Sequence, residues 1–131
     1  MYRWVDHTAE LELHIEATTP EEAFADALAA FAELVGEEEE GGKPVHHEIS
    51  LEASDRATLL ADWLSELVYL AEVDGFVPER ATEIELGESR LRAVVEGRRQ
   101  HPSPIVKAVT YHGLDLRREG DVWRARVVLD V

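Results

Sequence analysis

The stretch Glu10-Leu-Glu-Leu-His-Ile-Glu16 decides the fold of this chain. Leucine and isoleucine alternate there with charged or polar residues, which is the period-two pattern of a strand with one buried face. A helix start follows directly, because Thr19 can cap the backbone, Pro20 suits the first turn and Glu22 completes a capping box. The sequence therefore predicts a strand that passes straight into an amphipathic helix.

The rest of the chain repeats this arrangement once and then becomes rich in strands. A strand over residues 45–53 leads to a second helix, which is capped by Ser54 or Asp55 and ends near residue 73. A charged loop is predicted between the first helix and this strand, over residues 37–42. Alternating residues predict further strands at 76–77, 82–86, 91–96, 105–116 and 122–131. We expect residues 1–131 to form one α+β domain, with two helices packed on one face of a mostly antiparallel sheet.

Composition excludes several classes of function. The chain has 131 residues and no cysteine, so zinc–thiolate sites and cysteine nucleophiles are ruled out and a reducing, cytoplasmic location is expected. We expect no signal peptide and no membrane span, because no apolar run approaches the roughly 18 residues that a span needs. The net charge of −15 makes tight, unaided binding of nucleic acid improbable. An acidic surface suits a cation or a basic protein partner, and it also suits simple solubility.

Two acidic positions lie beside strands near opposite ends of the sequence. Asp6 precedes His7 and Thr8 in a short polar run, and Asp130 interrupts the apolar last strand. A fold that joins these segments would bring two carboxylates and the Val131 carboxylate together, and such oxygens bind calcium, magnesium or manganese. Taken singly, a turn at Asp6 and an exposed strand end at Asp130 are the simpler interpretations.

Lys107 is one of only two lysines and falls within a predicted apolar strand. Such a lysine extends its ammonium group to solvent or pairs with a carboxylate, so Asp6, Asp130 and a nucleotide phosphate are alternative partners. The sequence has no nucleophile elbow and no phosphate-binding glycine loop. Asp62 and Glu66 lie one turn apart on the polar face of the second helix, which indicates a solvated face. No residue is therefore predicted to be catalytic.

Four stretches of the sequence resemble the archease family. They are residues 2–9 (YRWVDHTA), 59–67 (LLADWLSEL), 106–114 (VKAVTYHGL) and 127–131 (VVLDV). The resemblance keeps their order and spans essentially the whole chain. One departure is Glu10, where the family usually has aspartate; the longer side chain puts a role for this position as a metal ligand in doubt.

The resemblance implies a small cytoplasmic α+β protein that is not itself the catalyst. Archeases are protein cofactors of the RNA ligase that splices tRNA halves, and they promote guanylylation of the ligase's active-site histidine and hence multiple turnover. The resemblance also implies a divalent metal, calcium or alternatively magnesium or manganese, bound by Asp6, Asp130 and Val131. His7 and Lys107 would be further functional residues. The alternatives are a metal-dependent phosphoesterase, a general chaperone and a structural metal module.

Overall fold

Seven strands and two helices make up the part of the chain that the computed structural model describes, which is residues 1–36, 41–102 and 104–131. In chain order they are β1 (Tyr2–His7), β2 (Glu10–Ala17), α1 (Pro20–Val35), β3 (Lys43–Glu52), α2 (Arg56–Asp74), β4 (Phe76–Leu86), β5 (Arg90–Arg99), β6 (Ala108–Glu119) and β7 (Val122–Asp130). Residues 37–40 of the predicted charged loop lie outside the described residues. In the described ranges, neither helix has the length and apolar character needed to cross a membrane.

The strands form two antiparallel sheets, where the sequence predicts a single one. One sheet has four strands in the order β1-β2-β7-β6, and the other has three in the order β3-β5-β4. Helix α1 contacts β2 and β4, and helix α2 contacts β6, β4 and β3. Each helix therefore contacts both sheets. The hydrophobic core lies between the helices and the sheets. The predicted α+β class with two helices on antiparallel strands is confirmed.

Both helix starts are formed by the predicted capping residues. The hydroxyl of Thr19 accepts the backbone N–H of Glu22 at 3.1 Å, and the carboxylate of Asp55 accepts that of Thr58 at 2.8 Å. The second half of the predicted capping box is different, because the Glu22 carboxylate accepts the hydroxyl of Thr18 at 2.6 Å. This hydrogen bond still holds the segment between β2 and α1 in place. Its donor is Thr18, one residue before Thr19, which is the partner that a capping box predicts.

A buried aromatic pair joins the two helices at the centre of the core. Trp63 of α2 is fully buried, and its indole N–H donates to the backbone carbonyl of Phe24 in α1 at 3.0 Å. The two rings lie 6.3 Å apart, in a tilted arrangement. Around them pack alternate residues of β2 and β7 and one stripe of each helix, namely Leu13, Ile15, Leu28, Phe31, Leu64, Leu67, Val127 and Leu129.

Three predicted strand boundaries are wrong. The strands predicted at 76–77 and 82–86 are the two ends of β4, which stays paired with β5 through register shifts between Pro78 and Arg80 and between Ala81 and Glu83. The strand predicted from residue 105 begins only at Ala108. Residues 2–7, for which the sequence predicts no strand, form β1.

Trp63→Phe should lower the free energy of unfolding by about 2–3 kcal/mol, because it removes the buried indole N–H that bonds to the Phe24 carbonyl and opens a small cavity. The measurement is urea unfolding followed by circular dichroism. The matched control is Trp123→Phe, since Trp123 on β7 is only partly buried and its indole N–H makes no hydrogen bond within the described residues. Equal losses in both variants would show that the bond between the helices contributes nothing of its own.

Candidate functional site

The segments that carry Asp6 and Asp130 meet at one end of the four-stranded sheet. A tight turn at residues 8–9, with φ of 60° at Ala9, joins β1 to β2. Glu10, the first residue of β2, then pairs with His7 on one side and with Asp130 on the other. We call this end of the sheet the tip; it consists of Asp6, Glu10, Lys107, Asp130 and Val131.

Two backbone hydrogen bonds continue the sheet beyond the end of β7 and ahead of the start of β6. The N–H of Val131 donates to the carbonyl of Ala9 at 3.1 Å, and the N–H of Lys107 donates to the carbonyl of Asp130 at 2.8 Å. Lys107 therefore lies immediately before β6, outside the strand in which the sequence places it. These two bonds hold both flanking segments against the end of β7.

The charged side chains of the tip have no partner among the described residues. Asp6 and Lys107 are exposed and Asp130 is half-buried. None of the three side chains makes a hydrogen bond or an ion pair there, so the pairing of Lys107 with Asp6 or Asp130, considered from the sequence, is not formed. The backbone of His7 belongs to β1, but its side chain lies outside the described part of the structure. The tip thus presents charged groups to solvent.

The pairing assigns the two carboxylates to different faces of the sheet. Directly opposite residues share a face. Asp6 is opposite Leu11, which in turn is opposite Leu129, on the face covered by the helices, whereas Asp130 is opposite Glu10 on the outer face. The carboxylates can therefore approach one another only around the end of the sheet. Nowhere in the described ranges do three His, Cys, Asp or Glu side chains converge as a metal-binding group would require.

A hydrogen bond that the sequence does not predict connects β6 to α2. The hydroxyl of Tyr111 donates to the carboxylate of Asp62 at 2.5 Å. This bond raises the pKa of Tyr111, because the carboxylate accepts the proton of the neutral phenol and would repel a phenolate. Asp62 is therefore more than part of a solvated helix face. The two residues lie 49 positions apart, so no local pattern indicates their contact.

Elsewhere along its length, β6 bulges over an ion pair in which the Glu12 carboxylate is buried and the Arg126 side chain is 41% exposed. Glu12 of β2 is the one buried charged side chain in the described part of the chain, and it accepts the Nε–H of Arg126 from β7. Pairing between β6 and β7 shifts between Thr110 and Asp115, and Gly113 lies within the shifted segment with φ of 69°. A Cβ on Gly113 would come 2.3 Å from Nη1 of Arg126. The bulge therefore requires glycine for its backbone conformation and for the close approach.

Comparison with known proteins finds the same family over the whole chain. The model of the Archease protein family (MTH1598/TM1083) matches residues 2–131. Among curated relatives, the protein named archease of Methanosarcina acetivorans is 36% identical, over 99% of this chain and 95% of that protein. That of Pyrobaculum neutrophilum is 32% identical over the same shares of the two chains.

Solved structures agree with the fold. The solution structure of Methanobacterium thermoautotrophicum protein 1598 has a TM-score of 0.70 and 26% identity, and the match covers 99% of this chain and 98% of that one. The crystal structure of an archease, possible chaperone, from Thermotoga maritima has a TM-score of 0.67 and 25% identity, over 100% and 98% of the two chains.

Gly113→Ala should destabilise the protein more than Gly120→Ala does. Both glycines have positive φ, 69° and 62°, so each alanine carries a similar backbone strain of about 1 kcal/mol. A Cβ at Gly120 meets nothing within 4 Å, whereas one at Gly113 must displace the Arg126 guanidinium that Glu12 holds. We expect an extra loss of about 1–2 kcal/mol for Gly113→Ala in urea unfolding. Equal losses would show that the ion pair tolerates the displacement.

Proposed function

Because the chain belongs to the archease family, we propose that it is a protein cofactor of the tRNA-splicing RNA ligase and that the tip is the part presented to the ligase. The observation that carries this proposal is the state of Asp6, Lys107 and Asp130. Their side chains lie at one end of the sheet and have no partner among the described residues. Charged groups that have no partner in the described part of the structure are available to another molecule.

The overall charge supports a protein partner that binds RNA. The net charge is −15, which opposes direct binding of RNA by this chain. A ligase that holds RNA presents basic surface, and an acidic protein is steered onto such a surface by long-range attraction. The Thermotoga maritima relative is described as a possible chaperone. That description also supports action on another protein, although a general chaperone would need no particular charged tip.

A divalent cation at the tip is the second part of the proposal. Carboxylate oxygens are hard ligands that suit calcium, with magnesium or manganese as alternatives. Asp6 and Asp130 have oxygens free of other bonds in the described structure, and the Val131 carboxylate would be the third ligand. Since no three acidic side chains of the described residues converge there, the remaining coordination positions would be filled by water or by the partner. When bound, the ion would add positive charge beside an anionic phosphate.

Guanylylation of the ligase histidine is the step that such a tip would promote. The histidine nitrogen attacks the α-phosphorus of the nucleotide, the bond to the β-phosphate oxygen breaks, and pyrophosphate leaves. Negative charge grows on the departing phosphates, so positively charged groups placed beforehand stabilise the transition state. The exposed ammonium of Lys107 would contact these phosphates, while Asp6 and Asp130 would orient the tip. The ligase supplies the catalytic residues, and this chain supplies none.

Asp6→Ala and Asp130→Ala should each reduce multiple-turnover ligation on the order of 10- to 100-fold, the range seen when a metal site loses a supporting group. The assay measures ligation with catalytic ligase and excess RNA. A single round by ligase that is already guanylylated should not change, because that round needs no new guanylylation. The control is Asp121→Ala, which removes an exposed carboxylate from the turn at the opposite end of β7.

Three outcomes contradict this scheme. If both tip variants stimulate as well as the wild type, the tip does not act. If the purified chain hydrolyses phosphoesters without ligase, and Asp6→Ala abolishes this, the protein is an enzyme. If it prevents aggregation of unrelated unfolded proteins in light scattering, and both variants do so equally, it is a general chaperone.

Calcium should raise the melting temperature of the wild-type protein. A ligand at 100 times its dissociation constant stabilises the folded state by about 2.7 kcal/mol. Asp6→Asn and Asp130→Asn should lose most of this increase, whereas Asp121→Asn should keep it. A chelator should reverse the effect. If calcium shifts all four proteins equally, it binds elsewhere on the acidic surface and the proposed ligands are wrong.

A further inference from the structure

A cavity on the outer face of the four-stranded sheet is lined by arginines and by two of the carboxylates that pair with them, Glu16 and Asp115. Its volume is about 230 Å³, and four of the eleven arginines line it together with one histidine. We call it the arginine cavity; the residues that define it are Arg3, His14, Arg117, Arg124 and Arg126. Arg3 comes from β1, His14 from β2, and the others from β6 and β7. The cavity lies outside the tip and shares no residue with it.

The strand pairing sets like charges against each other in this cavity. Arg117 of β6 is directly opposite Arg124 of β7, and like charges in directly opposite positions destabilise a sheet. In the adjacent row, Arg3 is opposite His14, which is opposite Arg126. The carboxylate of Glu119 bridges Arg117 and Arg124 and offsets their repulsion, and Arg126 is opposite Asp115 on its other side.

Carboxylates hold the guanidinium groups in fixed orientations and leave part of each one free. The two oxygens of Glu119 accept the Nε–H of Arg117 and of Arg124, both at 2.8 Å. The Nη1 groups bond to Asp115 and to Glu16. Arg126 donates its Nε–H to the carboxylate of Glu12 and an Nη1–H to the backbone carbonyl of Gly113. In the described structure, Nη2 of these three arginines donates no hydrogen bond, so three oriented donor groups remain unused.

Among the described residues, Arg3 is the one arginine of the cavity whose guanidinium has no counter-ion. It is exposed, and it forms no ion pair within the described residues. Oriented guanidinium groups with free N–H donors match the oxygens of phosphate, and charge-assisted bonds of this kind are about twice as strong as neutral ones. The cavity is smaller than the roughly 300–1,000 Å³ that whole drug-sized ligands occupy, so it selects a compact group.

We propose that the arginine cavity binds a compact polyphosphate, either inorganic triphosphate or the triphosphate group of a nucleotide. An extended RNA backbone fits less well, because Glu16 and Asp115 line the same cavity and would repel phosphates that continue past the arginines. Binding here does not depend on a ligase or on a metal at the tip. This proposal can therefore be tested independently of the proposed cofactor function.

Titration of the ¹⁵N-labelled protein with sodium triphosphate, at constant ionic strength, tests this inference by nuclear magnetic resonance. We expect saturable shifts of the backbone signals around Arg3, His14 and Arg124. Arg3→Ala should weaken binding on the order of tenfold, as the loss of one charge-assisted contact implies. The control is Arg92→Ala, which removes the same charge from the outer face of the other sheet, and its affinity should stay within about twofold of the wild type.

Further titrations separate the sources of the anion. If a nucleoside triphosphate binds more tightly than inorganic triphosphate, the ligand is a nucleotide; equal affinities show that only the phosphates are recognised. The proposal is overturned if sodium sulfate at the same ionic strength gives the same shifts with equal affinity, or if Arg92→Ala weakens binding as much as Arg3→Ala. It is also overturned if a short single-stranded RNA occupies the cavity more tightly than triphosphate.

Discussion

The antiparallel pairing of β2 with β7 is the constraint on which the rest of the structure depends. It runs from Glu10 opposite Asp130 to Ala17 opposite Trp123, and so joins the beginning of the sequence to its end. A shift of one residue would turn every side chain of either strand to the other face. The core under the helices, the tip and the arginine cavity all use this register. One pairing therefore determines where the buried residues and both candidate sites lie.

The ion pair between Glu12 and Arg126 makes this register specific. The two residues are diagonal neighbours across β2 and β7, since Glu12 is opposite Val128 and Arg126 is opposite His14. Burying a carboxylate costs several kcal/mol unless a cation meets it in good geometry. A slipped register would leave Glu12 buried without that cation. The same guanidinium donates to the backbone carbonyl of Gly113, so the ion pair is in direct contact with the bulge of β6.

Local signals predict both helices and most of the strands, but they miss β1 and do not predict how the strands are divided between the two sheets. The caps at Thr19 and Asp55 and the alternation in β2 are properties of a few neighbouring residues, and all three are confirmed. The division into two sheets depends on which distant strands pair. The continuity of β4 through Pro78 depends on β5, which keeps pairing across two register shifts. The start of β6 at Ala108 likewise depends on β7.

The two candidate sites differ in how far sequence can reveal them, and charge explains why. Asp6 and Asp130 stand out because each is a carboxylate beside an apolar strand. The members of the arginine cavity come from four strands, and each is an ordinary basic residue in its own strand. The net charge of −15 determines whether a distant partner is attracted or repelled. A bound anion interacts mainly with charged groups within a screening length of about 8 Å. An acidic protein can therefore bind a cation at one end of a sheet and an anion on its outer face.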